Sequence, residues 1–139
     1  MDKLLTPIAR LFLGHIFLLA GISKIGQYAG TQGYMEAMGV PGALLPLVIV
    51  LEIAGGLAII LGLQVKWTSL ALAVFTIVSA LIFHSKLSDQ MQMILFMKNW
   101  SIAGGLLLLT VHGAGPFSLD NYFRRSKGKS PDEKLKAAA

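Results

Sequence analysis

The chain predicts an all-α membrane protein, a bundle of four transmembrane helices, on three observations. Hydrophobic residues make up 55% of its 139 residues and charged residues only 14%. A water-soluble domain this small carries about 25% charged residues to wet its large surface. The apolar residues also fall in four runs, 7–25, 43–63, 67–83 and 93–111, each near the roughly 20 residues that cross about 30 Å of hydrocarbon. Finally, mean hydropathy is +0.68, and apolar runs of this length in lipid must be helical because every backbone polar group needs an internal partner.

The first run follows Lys3 and contains His15; without a small-x-small cleavage pattern it is read as a span rather than a removable signal. Residues 27–41 form an outer segment with a helix-capable centre at 31–38, expected to lie on the membrane surface or cap the bundle. Pro46 suits the start of the second span, where its missing N–H is harmless. The link to the third span allows only a tight turn, so these two spans are antiparallel neighbours. After His112 the sequence Gly-Ala-Gly-Pro stops the fourth span. Ser118 can then cap a short amphipathic helix at 119–125, whose Leu119, Tyr122 and Phe123 share a face. Residues 1–125 thus form one transmembrane domain, and 126–139 have the composition of a disordered basic tail.

Charge placement predicts orientation. With the N-terminus inside, nine Lys and Arg residues fall on the cytoplasmic side and only Lys24, Lys86 and Lys98 outside, which favours two cytoplasmic termini. The net charge of +5 is therefore a topology signal and argues against a nucleic-acid partner. Cysteine is absent, which excludes disulfides, thiolate metal sites and iron–sulfur clusters within the chain. Soluble-enzyme motifs such as a phosphate-binding loop or a nucleophile elbow are missing, and no internal repeat points to an inverted-repeat transporter.

Ionisable and strongly polar groups inside spans mark function by default, because each is costly in lipid unless paired or hydrated. Counting about 1.5 Å per residue places Lys24 and His84 near the outer ends, Glu52 roughly 12 Å deep and Asn99 slightly higher. Four spans thus each contribute one polar group to the outer half, and these four are the expected ligand- or proton-binding residues. Glu52 is the sharpest: it has no partner on its own helix and is expected to bind protons or ligand, or to pair with Lys24 or Lys98. Gly55 and Gly56 share its face and permit a close helix approach. Lys98 and His15 are secondary candidates. The depths of His15, His84 and His112 do not match, which argues against a bis-histidine haem; no metal or covalent cofactor is expected.

The phrases FLLAGISKIGQYAG (17–30), MGVPGALLPLVIVLEIAGGLAIILG (38–62), FHS (83–85), MKNWSIAGG (97–105) and GAGPFSLD (113–120) together resemble the DoxX family of small four-helix bacterial inner-membrane proteins, in its YqjF-like branch. The resemblance implies a multi-pass protein of the plasma membrane whose recurring polar positions fall on Lys24, Glu52, His84 and Asn99. It further implies a subunit or accessory of a quinone-linked redox, respiratory or oxidative-stress complex, with a quinone-like ligand in the polar pocket. A membrane redox partner and a homo-oligomer are compatible with it. The resemblance carries no family-wide catalytic motif over to this chain, so enzyme status stays open between a non-catalytic oxidoreductase subunit and other roles. Two other expectations compete: a small proton-coupled transporter using Glu52, and a purely structural membrane scaffold.

Overall fold

The computed structural model describes residues 1–128 and 130–138. Every regular element among them is helical: α1 (Asp2–Gly26), α2 (Tyr28–Ala37), a 3₁₀ turn (Gly42–Leu44), α3 (Leu45–Leu61), α4 (Val65–Phe83), α5 (Gln90–His112), α6 (Leu119–Lys127) and α7 (Pro131–Ala138). Helices α1, α3, α4 and α5 are long and apolar enough to cross a membrane. The exposed Leu47, Val50, Trp67, Val74, Leu108 and Val111 leave an apolar exterior of the kind a bilayer covers.

Helix boundaries differ from the sequence expectation where capping decides them. Helix α1 begins at Asp2 rather than residue 7, with the Met1 carbonyl accepting from the Leu4 and Leu5 amides. Pro7 lies in its second turn, where it removes one hydrogen bond without ending the helix. Helix α5 begins at Gln90 rather than 93 because the Asp89 carboxylate accepts from the Met91 amide at 2.9 Å. The tail also departs from expectation. Residues 126 and 127 continue α6, and 131–138 form α7, which opens with a reciprocal cap. The Ser130 amide donates to Glu133 Oε2 at 3.0 Å while the Glu133 amide donates to Ser130 Oγ at 3.4 Å, with Pro131 at the first helical position. The same expectation for Lys129 and Ala139 falls outside the described residues.

The spans pack as two pairs. Helix α1 lies along α3 and α4 along α5, with α3 and α4 joined between them; α1 and α5 scarcely meet. Glycines set the first pair. A Cβ on Gly14 would stand 2.7 Å from the Gly56 carbonyl oxygen, and one on Gly56 would stand 2.7 Å from the Leu18 amide nitrogen. The two backbones are therefore in direct contact. Gly55, one residue earlier, faces Leu72 of α4 instead. The adjacent glycines serve two different neighbours. Between α4 and α5 the Ser69 and Thr110 hydroxyls share a hydrogen bond of 2.8 Å.

At the end of the bundle that holds the chain termini, α6 locks the tight turn between α3 and α4. Gly62 closes α3 in the left-handed region (φ 76°), and Gln64 follows with φ 49°. The Asp120 carboxylate then caps α4, accepting from the Gln64 amide at 2.6 Å and the Val65 amide at 3.0 Å, while the Asp120 amide donates to the Gly62 carbonyl. Ser118 caps α6 through the Asn121 amide at 3.2 Å. Asp120→Ala strips two donors of their acceptor at once. It is expected to cost about 1–2 kcal/mol, read as a lower Tm together with new proteolytic cleavage before α6.

Candidate functional site

At the opposite end, the four spans enclose a cavity of about 530 Å³ that α2 covers. Its cover follows from local chemistry. Gln27 (φ −119°, ψ 38°) breaks the helical run after α1, and Thr31 Oγ1 donates back to the Gln27 carbonyl at 2.8 Å, starting α2 in a new direction. Gly39 (φ 82°) lets the chain reverse after α2, with the Val40 amide donating to the Met35 carbonyl. Met35 is consequently buried against Leu45 and Ile49, and the Tyr34 ring stacks on Phe83 at 5.4 Å between centroids. The segment 27–41 thus caps the bundle, one of the two placements expected for it.

Lys24 from the last turn of α1 and Glu52 from the middle of α3 form an ion pair. Lys24 Nζ lies 3.0 Å from each carboxylate oxygen and donates to Oε1. The Glu52 side chain is only 5% exposed, whereas that of Lys24 is 28% exposed. The carboxylate is therefore largely buried, while the long lysine stem leaves its ammonium the more exposed partner. Gly21 makes the pair possible: a Cβ there would stand 3.2 Å from the Glu52 Cβ and 2.6 Å from Ile53 Cγ1.

His84 caps the end of α4 and its Nδ1 lies 2.9 Å from Gln92 Oε1. With the Gln92 amide oxygen facing it as acceptor, Nδ1 is the donor of this hydrogen bond. Asn99 Nδ2 donates to the Thr76 carbonyl of α4 at 3.4 Å, and its own oxygen accepts no hydrogen bond among the described residues. Lys98, on the same turn of α5, lines the cavity from an exposed position and forms no hydrogen bond or ion pair among the described residues. The four polar residues picked by depth, Lys24, Glu52, His84 and Asn99, therefore share one cavity, together with the secondary candidate Lys98.

His15 stands apart. It is exposed on the outside of α1, its Nδ1 held by the Phe12 carbonyl at 2.7 Å and the Leu11 carbonyl at 3.2 Å. The remaining wall is largely apolar, supplied by residues such as Phe17, Val48, Phe75 and Ile102, with Thr76 and Ser79 among them. Helices α1 and α5 meet where Leu13 packs on Gly105, one turn below the cavity. Beside the cavity itself they make little contact.

Two polar residues that matter escape depth counting. Gln92 was indistinguishable from a loop-end glutamine, and only the fold brings it to His84. Arg10 counted as a topology charge, yet its side chain is 2% exposed. Its Nη2 donates to the Phe117 carbonyl, and it runs so close to Gly62 that any Cβ there would collide with it. The usable signal was its position, four residues inside the first apolar run.

Comparison with known proteins agrees with this architecture. The profile of the family described as DoxX matches residues 5–85. The inner membrane protein YqjF of Escherichia coli K12 is 48% identical over 118 residues, covering 85% of this chain and 91% of the relative. The inner membrane protein YphA of the same organism is 35% identical over 120 residues, covering 81% and 86%. No solved structure matches the chain.

Proposed function

Since the chain belongs to the DoxX family and is a multi-pass protein of the bacterial inner membrane, we propose that its capped cavity binds the polar head of a quinone-like ligand. In this reading the protein is a subunit or accessory of a quinone-linked redox, respiratory or oxidative-stress complex. The observation that carries it is the Lys24–Glu52 pair, set into one wall of an otherwise apolar cavity of about 530 Å³. Sites for small organic ligands are of this size, mostly apolar, with a few convergent polar groups.

The residues fit such a head in defined roles. Lys24 and Lys98 are donors for a carbonyl oxygen. His84, with its Nδ1 proton given to Gln92, presents an acceptor and so suits the taking of a hydroxyl proton rather than donation. Glu52 exchanges protons through Lys24, its ion-pair partner. The sparse contact between α1 and α5 supports entry of an apolar tail from the bilayer. A bound quinone supplies the two-electron chemistry; the chain's own residues bind, orient and move protons.

Purified protein titrated with a short-chain benzoquinone is the direct test. At a hundredfold excess over Kd, the wild type gains about 2.7 kcal/mol of stability, seen as a raised Tm. Glu52→Gln is expected to remain folded and to lose that gain. An equal gain in Glu52→Gln removes the carboxylate from the site. The scaffold reading is favoured by one observation, the direct 3.0 Å contact of Lys24 and Glu52; it predicts no ligand-dependent gain in either protein.

A further inference from the structure

A second groove lies at the other end of the bundle, between α6 and the turn that joins α3 to α4. It has a volume of about 590 Å³, and its walls include Gln64, Asp120, Phe123, Arg124, Ser126 and Lys127. We propose that this groove binds the phosphate of an anionic phospholipid, with the acyl chains lying against the neighbouring aromatic residues.

The level of the groove supports a lipid. Helix α3 ends at Leu61, α4 begins at Val65 and α5 ends at His112, so the apolar part of three spans stops at one level. The Asp120 caps tie α6 to that level. Four aromatic side chains there are exposed: Trp67 at 73%, Tyr122 at 66%, Phe117 at 56% and Phe123 at 47%. Tyr and Trp collect where apolar chains meet polar headgroups, because one part of the ring system is apolar and another forms hydrogen bonds.

The charge of the groove selects an anion. Arg124, Arg125 and Lys127 occupy the last turn of α6, and none has a carboxylate within ion-pair distance among the described residues. The guanidinium of Arg124 is steadied by a neutral partner, donating to Asn121 Oδ1 at 2.9 Å, so its positive charge stays uncompensated. One carboxylate faces the groove, that of Asp120, and both of its oxygens already accept backbone amides of the α4 N-terminus. Arg124 and Lys127 therefore offer two cations, and Ser126 a hydroxyl, to a phosphate. A zwitterionic headgroup would bring its own cation against them.

The test is native mass spectrometry of the full-length protein in detergent, titrated with dioleoylphosphatidylglycerol or dioleoylphosphatidylcholine. The wild type is expected to retain the anionic lipid about tenfold better. Arg124→Gln combined with Lys127→Gln removes that preference, whereas Arg125→Gln, outside the groove, keeps it, and so does the charge-conserving Arg124→Lys. Equal retention of both lipids by the wild type overturns the proposal, as does a preference that survives the double substitution. All three residues are exposed; an unchanged thermal melt of each variant ties any loss to the groove. Quinone titration reads the other end of the bundle, so either site can fail without the other.

Discussion

Lys24→Met is expected to destabilise the protein by about 3 kcal/mol, a larger loss than Glu52→Gln produces. The asymmetry comes from burial. In Lys24→Met a carboxylate that is only 5% exposed loses its ion-pair partner, Nζ at 3.0 Å from both oxygens. In Glu52→Gln the remaining ammonium belongs to a side chain 28% exposed, which can extend toward the polar end of the bundle. The double variant Lys24→Met with Glu52→Met should recover most of the loss, because two unbranched apolar side chains of similar length replace a desolvated pair without leaving a lone charge. Thermal melts of the wild type, Lys24→Met, Glu52→Met and the double variant in one detergent give the coupling directly. A Lys24→Met protein that melts like the wild type would show that the pair does not hold α1 to α3.

The second large effect is expected from Gly56→Ala, at about 3 kcal/mol. The added methyl carbon would stand 2.7 Å from the Leu18 amide nitrogen and 2.8 Å from the Gly14 carbonyl oxygen. Both are backbone atoms, so no rotamer change relieves the clash, and α1 must move away from α3. That displacement also draws Lys24 from Glu52, so the variant should lose ligand-dependent stabilisation together with Tm. Gly104→Ala is the matched control. Nothing lies within 4 Å of a Cβ at that position, and alanine is the better helix former, so stability should hold or rise by up to about 1 kcal/mol. Equal melting of the two variants would mean that α1 and α3 are not in backbone contact.

The convergence at the cavity was legible because depth along a helix is a matter of counting. Each residue advances about 1.5 Å, so Lys24, Glu52, His84 and Asn99 could be set at one end of the bundle before any packing was known. Rotation about the helix axis is not countable in the same way. His15 passed the polarity criterion and lies on the outside of α1. Gly55 and Gly56 looked like one small patch for one neighbour, but a step of 100° between consecutive residues sends them to α4 and α1 respectively. Lys24 and Lys98 were equal partners for Glu52 until the α1–α3 contact chose Lys24.

The terminal end of the bundle was the least legible part. Arg10 looked like a cytoplasmic charge near the N-terminus, but α1 runs past the plane where α3 and α5 end, which leaves Arg10 enclosed by Gly62 and Phe117. Asp120 looked like one residue of a short surface helix and is the N-terminal cap of α4, 55 residues earlier in the chain. Nothing local announces such a cap, since donor and acceptor belong to different segments.

By itself the sequence determined the class of protein, the number and position of its spans and where along each span its polar group lies. Those properties depend on how lipid treats each segment, and lipid treats each one separately. Only the tertiary structure decided which polar groups meet, which glycines carry a backbone contact and how α6 is fastened. The reason is physical: azimuth and pairing are set by side chains on other helices, and each helix finds its rotation only when its neighbours are in place.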